Sequence, residues 1–209
     1  VPPLEIQKKI VLLLSAYDDL IENNQKQIKL LEEAAQRLYT EWFVDLRFPG
    51  YENTPIIDGV PEGWKTVCLD DVICKIATGL NPRKNFVLGQ GNNYYVTIKN
   101  MSNNDILLDE KCDSIDDAAI QRINQRSDLQ IGDLLFSGIG TIGRVYLIDI
   151  PTNNWNISES VFTMRANDKV SKEFLYLLLL SEDMQSYCDN NAHGAAQRGI
   201  RMADLRAYK

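Results

Sequence analysis

The chain of 209 residues is poor in the groups that build metal and redox centres. It has one histidine, His193, and four cysteines, Cys68, Cys74, Cys112 and Cys188, none of them in a CxxC pair. With no Cys/His cluster, the spacing argues against a structural zinc site. Scattered thiols of this kind read as reduced, which points to a cytoplasmic protein. No run of eighteen apolar residues and no signal peptide is visible, so neither a membrane span nor a secretory segment is expected. Positive charge is also short: 22 Lys and Arg stand against 29 Asp and Glu, a net charge of −7. That sum argues mildly against a protein that coats nucleic acid, because phosphate contacts favour Lys and Arg. The charge is unevenly spread, however. Residues 105–133 hold eight acidic and three basic side chains, residues 65–104 hold two and five, and residues 193–209 hold one and four. A basic face opposite an acidic face is compatible with this distribution.

What the sequence does contain is a heptad. Ile10, Leu14, Tyr17, Ile21, Asn24, Ile28, Leu31, Ala35, Leu38 and Trp42 recur at alternating steps of four and three. Their mean spacing is the period of a left-handed coiled coil. It predicts a helix from about Leu4 to Leu46, on the order of 60 Å long at ~1.5 Å per residue. Pro2 and Pro3 precede it where proline is tolerated, and Arg47-Phe48-Pro49-Gly50 ends it. Polar Asn24 in the seam is a residue type that fixes register or oligomer state. No second long helix is available to cover the seam, so pairing with a second copy is expected. Three regions follow: a coiled-coil helix over 1–48, a proline- and glycine-marked linker over 49–63, and a globular domain over 64–209.

The third region reads mainly as strands: Trp64–Leu69, Tyr94–Ile98, Asp133–Phe136, Arg144–Ile150 and Val161–Arg165 carry β-branched and aromatic residues between turn signals. Two helices are predicted, over about Asp116–Gln125 and over Lys172–Tyr187, the latter with Ser171 as N-cap. The fold class is therefore α+β: a long N-terminal coiled-coil helix followed by a mixed α/β domain.

Gly138-Ile139-Gly140-Thr141-Ile142-Gly143 matches the GxGxxG pattern of dinucleotide sites. Such a site needs a helix after the glycines to hold the pyrophosphate, and here a strand pattern, Arg144–Ile148, follows. A glycine-rich hairpin is the better reading. No methyl-donor motif and no nuclease-like carboxylate cluster is present. His193 has no Ser or Cys nucleophile beside it and reads as a surface or hydrogen-bonded residue. Several loops combine guanidinium, amide and aromatic groups: 81–85, Tyr94-Tyr95, 99–104, 153–156 and 197–201. Arg pairs with guanine and Asn or Gln with adenine in the major groove. These loops permit DNA reading without demonstrating it, since simple solvation is the commoner reason for polar loops.

The segment PPLEIQKKIVLLLSAYDDLIENNQKQIKLLEEAAQRLYTEWFVDLRFPG resembles the spacer region of specificity subunits of type I restriction-modification systems. PEGWKTVCLDDVICKIATGLNP resembles the start of their target-recognition domains, and GDLLFSGIGTIGRVYLI, NISESVF and HGAAQRGIRMADLR resemble later blocks, in the expected order. In that family a whole subunit resembles two halves in tandem. Each half is one target-recognition domain plus one long helix, and the helices pack antiparallel to set the gap in a split DNA site. This chain, with one helix and one domain, looks like a half-subunit.

The resemblance implies a non-catalytic, sequence-specific DNA-recognition module without cofactor or metal. It implies double-stranded DNA, modification (methyltransferase) subunits and a restriction subunit as partners, and an antiparallel homodimer through the seam. The candidate DNA contacts are Arg83, Lys84, Lys99, Asn100, Gln197, Arg198 and Arg201, which lie in the basic stretches and polar loops. The alternative reading is a coiled-coil scaffold whose globular domain binds another protein.

Overall fold

A computed structural model describes every residue from Val1 to Lys209 and divides into two compact units, Val1–Asn53 and Thr54–Lys209.

The first unit is built on α1, Leu4–Tyr39, 36 residues long. Its seam is open to solvent: Ile10, Leu14, Tyr17, Ile21, Ile28, Leu31 and Leu38 are between 45% and 70% exposed. Charged pairs one turn apart, Lys26 with Glu22 and Lys29 with Glu33, occupy the other faces. The α-helix stops earlier than the heptad predicts. Over Thr40–Val44 it loosens into a π turn, in which Asp45 N–H reaches back to Thr40 O at 2.8 Å. The wider turn shifts the heptad phase carried from Ile10 to Leu38 just before it reaches Trp42. Leu46 then takes a left-handed backbone, φ 57°, and Arg47 folds back onto Glu41 (2.7 Å) and Asp45 (2.7 Å). The chain turns aside through these side chains before Pro49 is reached. No helix is long and apolar enough to cross a membrane.

The second unit opens with the ribbon β1–β2 (Ile56–Ile57 and Val60–Pro61), closed by Asp58-Gly59 with both residues at positive φ. Its body is two facing sheets. One is four-stranded, in the order β3 (Ile73–Thr78), β11 (Val161–Ala166), β8 (Leu134–Ser137), β9 (Val145–Leu147), all antiparallel. The other is three-stranded: β4 (Asn93–Val96) pairs in parallel with β10 (Trp155–Ile157) and antiparallel with β7 (Asp113–Ile115). A small ribbon, β5–β6 (Met101–Ser102 and Asp105–Ile106), is attached.

All four residues of β8 are buried. Leu134 and Phe136 face α3 (Lys172–Leu180), α4 (Glu182–Asn190) and α5 (Met202–Arg206) through Leu175, Leu179, Met184 and Leu205. Leu135 faces the second sheet and packs with Val96, Trp155 and Ile157. A strand buried on both faces needs a continuous apolar run, which explains why Leu134–Phe136 does not alternate. On the far side of the second sheet, α2 (Asp117–Ser127) buries Ala119 and Ile123 against Tyr95 and Ile115. Each fully buried side chain of Leu or Phe size contributes roughly 1.5–3 kcal/mol.

Three readings of the sequence differ from this. Trp64–Leu69 joins no strand; among its bonds to the rest of the fold is Leu69 N–H to Tyr208 O at 2.8 Å. Strand β3 carries no strand signal of its own, because a register shift at Arg165/Ala166 breaks its alternation. The helix after Ser171 is two helices, broken at Ser181. The Ser181 hydroxyl accepts from Met184 N–H (3.3 Å) and donates to Leu178 O (2.7 Å), ending α3 and capping α4.

Candidate nucleic-acid interface

The strand directions bring four loops, those after β3, β4, β8 and β10, to one end of the two-sheet body. Residues after β3, before β11 and after β8 lie at the same end of the four-stranded sheet, because neighbouring strands there are antiparallel. The parallel strands β4 and β10 deliver their following residues to that end too, where Ser158 N–H bonds Val96 O at 2.8 Å. Backbone bonds then join loop to loop. Gly79 N–H meets Ser158 O at 3.2 Å, Gly138 N–H meets Ser160 O at 2.9 Å, Ile200 N–H meets Gly138 O at 2.9 Å, and Gly140 N–H meets Arg198 O at 2.8 Å.

Glycine is required at the closest approaches. A Cβ on Gly79 would lie 1.6 Å from Ile157 O, and one on Gly138 would lie 2.5 Å from the Phe162 ring. The 138–143 segment links antiparallel β8 and β9, and no helix follows it. It is a hairpin connection, without the helix N-terminus that a pyrophosphate requires.

Lys99 is exposed at the crest of the turn Ile98–Asn100. Asn100 is buried, and its side-chain oxygen accepts from Thr97 N–H and Thr97 Oγ1, both at 3.0 Å. In this structure Asn100 shapes the turn that presents Lys99. The Arg144 guanidinium holds the same turn from below by donating to Ile98 O and Met101 O, both at 2.7 Å. Gln197 and Arg198 are exposed on the loop His193–Gly199, which closes through reciprocal bonds between His193 and Gly199 (2.8 and 2.9 Å). Arg198 rests one arm on Asp189 O at 2.5 Å. Arg201 is exposed at the start of α5. The glycine hairpin gathers the Lys99 turn and the Gln197 loop: a Cβ on Gly140 would stand 2.7 Å from Ile98 Cδ1 and 3.9 Å from Gln197 Nε2.

Arg83 and Lys84 are exposed on the loop after β3. Phe86 pins that loop by packing edge-on against Tyr95, with ring centroids 5.4 Å apart. Glu159, half-buried between this loop and the hairpin, accepts from Asn81 Nδ2 at 3.1 Å and from Tyr95 OH at 3.2 Å. Burial, and then Glu159, push the Tyr95 phenol far above its ordinary range, so it stays a donor. The carboxylate is thereby held inside the basic rim.

Of the aromatic and amide segments read from sequence, two belong to core strands: Tyr94-Tyr95 lies in β4, with Tyr95 2% exposed, and Trp155-Asn156 lies in β10. Trp155 is fully buried with its Nε1–H on Pro151 O at 2.8 Å, and Asn156, 1% exposed, accepts from Ser127 Oγ at 2.7 Å. His193 is exposed, with Nε2 3.3 Å from Asp204 Oδ2. The four cysteines are unpaired, and no three His, Cys, Asp or Glu side chains gather as a metal cluster. The convergent end offers charged and amide hydrogen-bond donors on braced loops, the arrangement that polyanion contacts use.

Residues 61–209 match the family described as "Type I restriction modification DNA specificity domain". The MjaIX specificity subunit of a type I restriction enzyme, from Methanocaldococcus jannaschii, is 34% identical over 105 residues, covering 48% of this chain and 24% of that protein. Among solved structures, the HsdS subunit from Thermoanaerobacter tengcongensis is similar over 99% of this chain and 46% of its own, with a TM-score of 0.54 and 18% identity. A type I restriction-modification S subunit from M. genitalium, also 18% identical, aligns over 74% of this chain and 36% of its own with a TM-score of 0.45. The chain thus spans about a quarter of the sequence relative and under half of each solved structure. At 18% identity the likeness to the HsdS subunit is one of fold.

Proposed function

Because the chain belongs to the family of type I restriction-modification DNA specificity domains, we propose that its second unit reads a DNA sequence and that its long helix sets the distance to a second reader. The observation that carries this is the gathering of Lys99, Gln197 and Arg198 about the glycine hairpin, with Arg83 and Lys84 on the adjoining loop. Ammonium and guanidinium groups on the rim hold phosphates, and amides and guanidinium groups that reach a groove read base edges. Arg201 extends the same surface, and Asn100 serves it by fixing the Lys99 turn.

The module carries no chemistry of its own; it directs methyltransferase and restriction subunits to a bipartite site. Over Ile10–Leu38 the exposed apolar line of α1 supports pairing with another long helix. Antiparallel pairing of two copies would set two recognition domains at opposite ends of the rod and give each half-site its own reader. The region over residues 1–48, which contains α1, is then the spacer, 49–63 the joint, and 64–209 the reader.

The test has two arms. In the first, duplex binding by the purified chain is followed by anisotropy against salt. Affinity that falls as salt rises, with one duplex preferred over unrelated duplexes by ~10³-fold or more, is expected. In the second, cells expressing the chain with its modification subunit are sequenced for methylated bases, and a split motif is expected. Binding without sequence preference and no new methylated motif would together overturn the proposal.

A further inference from the structure

Helix α2 lies in the chain's most acidic stretch, yet its exposed side carries glutamines with a flank of arginines. Carboxylates cluster before it and one ends it; from Ala118 to Ser127 there is none. The flanking carboxylates are answered. Asp116 caps the helix through Ala119 N–H (2.7 Å), Asp117 takes Asn93 Nδ2 (2.8 Å), and Asp128 takes Lys75 Nζ (3.2 Å). The inner face, Ala119, Ile123 and Ser127, is buried. Helical geometry then sets Gln121 and Gln125, one turn apart, on the outermost line, with Ala118 a turn before Gln121 leaving room for close approach. Arg122 and Arg126 form a second row along one flank, and all four side chains are exposed.

That flank adjoins the Arg83–Lys84 loop, because Arg122 Nη1 donates to Asn85 O at 2.6 Å. The loop and the helix also share one small core, where Leu80, Phe86 and Leu88 pack with Ala119 and Ile123. No ion pair in the chain uses Arg83, Lys84, Arg122 or Arg126. Four cations outside any ion pair, beside a line of two glutamine amides, form on a protein of net charge −7 a face complementary to a polyanion.

We propose that α2 is a second reading element, a helix that enters the DNA major groove with Gln121 and Gln125 on base edges, while Arg122, Arg126, Arg83 and Lys84 hold the phosphates of one wall. The inference rests on the DNA reading above and extends it from loops to a helix. The groove is ~12 Å wide and admits an α-helix. A helix of 11 residues, ~16 Å long, spans several base pairs. A glutamine amide donates and accepts at once and so matches the N6/N7 edge of adenine, while the four free N–H groups left on Arg122 suit phosphate oxygens.

The experiment is selection from a randomised duplex library with the full chain, followed by Kd measurement on the enriched duplex and on an unrelated one. The double variant Gln121→Ala/Gln125→Ala is expected to lose about tenfold or more on the enriched duplex and to bind the unrelated duplex as before. Its own selection should turn one adenine-containing position degenerate. Arg122→Ala/Arg126→Ala is expected to weaken both duplexes alike and flatten the salt dependence. Alanine favours an exposed helix, so melting is not expected to fall, and Gln121→Glu/Gln125→Glu repeats the test with side-chain shape kept. If the unaltered chain enriches no sequence, the DNA reading itself falls. If it does, and the glutamine variants enrich the same sequence with the same Kd, only the role of α2 is overturned. Equal loss on both duplexes, or tighter binding of the corresponding RNA duplex, also overturns it.

Discussion

Arg165 grips the buried carboxylate of Asp133 with two arms, Nε to Oδ1 at 2.6 Å and Nη2 to Oδ2 at 2.9 Å. Asp133 is 1% exposed and also accepts from Gln130 N–H at 3.0 Å. The pair joins the start of β8 to the end of β11, at the opposite end of the sheet from the candidate interface. Removing Arg165 strands the buried Asp133 carboxylate, while removing Asp133 leaves Arg165 its contacts with Asp128. Arg165→Met is therefore expected to cost ~3–5 kcal/mol, Asp133→Ala the lower end of the same range, and Asp133→Leu/Arg165→Met less than the sum of the single changes. Thermal melts of the three variants check this, with single-variant midpoints about 10 °C lower.

At the candidate interface, Lys99→Ala and Arg198→Ala are expected to weaken binding to every duplex by similar factors and to reduce the salt slope by about one each. Neither side chain is buried, so melting temperatures are expected to hold. A titration at several salt concentrations separates this from loss of sequence preference.

Gly79→Ala makes the opposite prediction. The added methyl would collide with the Ile157 carbonyl, which has no room to retreat inside the parallel pairing of β4 and β10. A loss of ~1–3 kcal/mol or more is expected in denaturant unfolding. Binding is expected to fall with it, because the Arg83–Lys84 loop starts there.

In the seam of α1, Ile21→Glu is expected to abolish self-association, and Asn24→Ile to strengthen it while loosening the choice of register. Sedimentation equilibrium of the two variants beside the unaltered chain decides this. Association unchanged by Ile21→Glu would refute pairing through the seam.

Cys188 is buried in the helix core, and burial pushes its thiol up to about 12. The folded state therefore holds this proton more tightly than the unfolded state, whose thiol titrates at ~8.5. The contribution is complete below that value and is lost as pH rises toward 12. Melting points are expected to decline steadily over that window, and Cys188→Ala, though less stable at neutral pH, to decline less steeply. Iodoacetamide at pH 8 is expected to label exposed Cys74 well before Cys188.

Elements with strong periodicity were legible in the sequence. The heptad predicts α1, and the β-branched and aromatic residues of Asp133–Phe136 and Val161–Arg165, set between turn signals, predict the two central strands. What could not be read depends on contacts distant in sequence. Asn156 looks like a loop amide and is a buried partner of Ser127, and Trp64–Leu69 has a strand's composition and no partner strand. The apolar run after Ser171 hides the break at Ser181, because a serine cap is as compatible with a helix interior as with its end until packing decides. Averaging charge over residues 105–133 conceals the arginine flank of α2, since the carboxylates lie at the helix ends and the arginines within it.

The bond from Leu69 N–H to Tyr208 O joins segments at opposite ends of the second unit's sequence. The Asp70–Arg206 ion pair and the packed rings of Tyr187 and Tyr208, 5.1 Å apart, reinforce it. Contacts between segments so far apart in sequence form slowly, because a long loop must close before any reward is collected. β3, near the beginning, also has to wait for β11 before its edge is covered. During synthesis β3 therefore emerges with an unpaired strand edge and stays so until β11 follows. A strand edge that precedes its partner in the chain is open to wrong pairing for as long as that partner is still to be made.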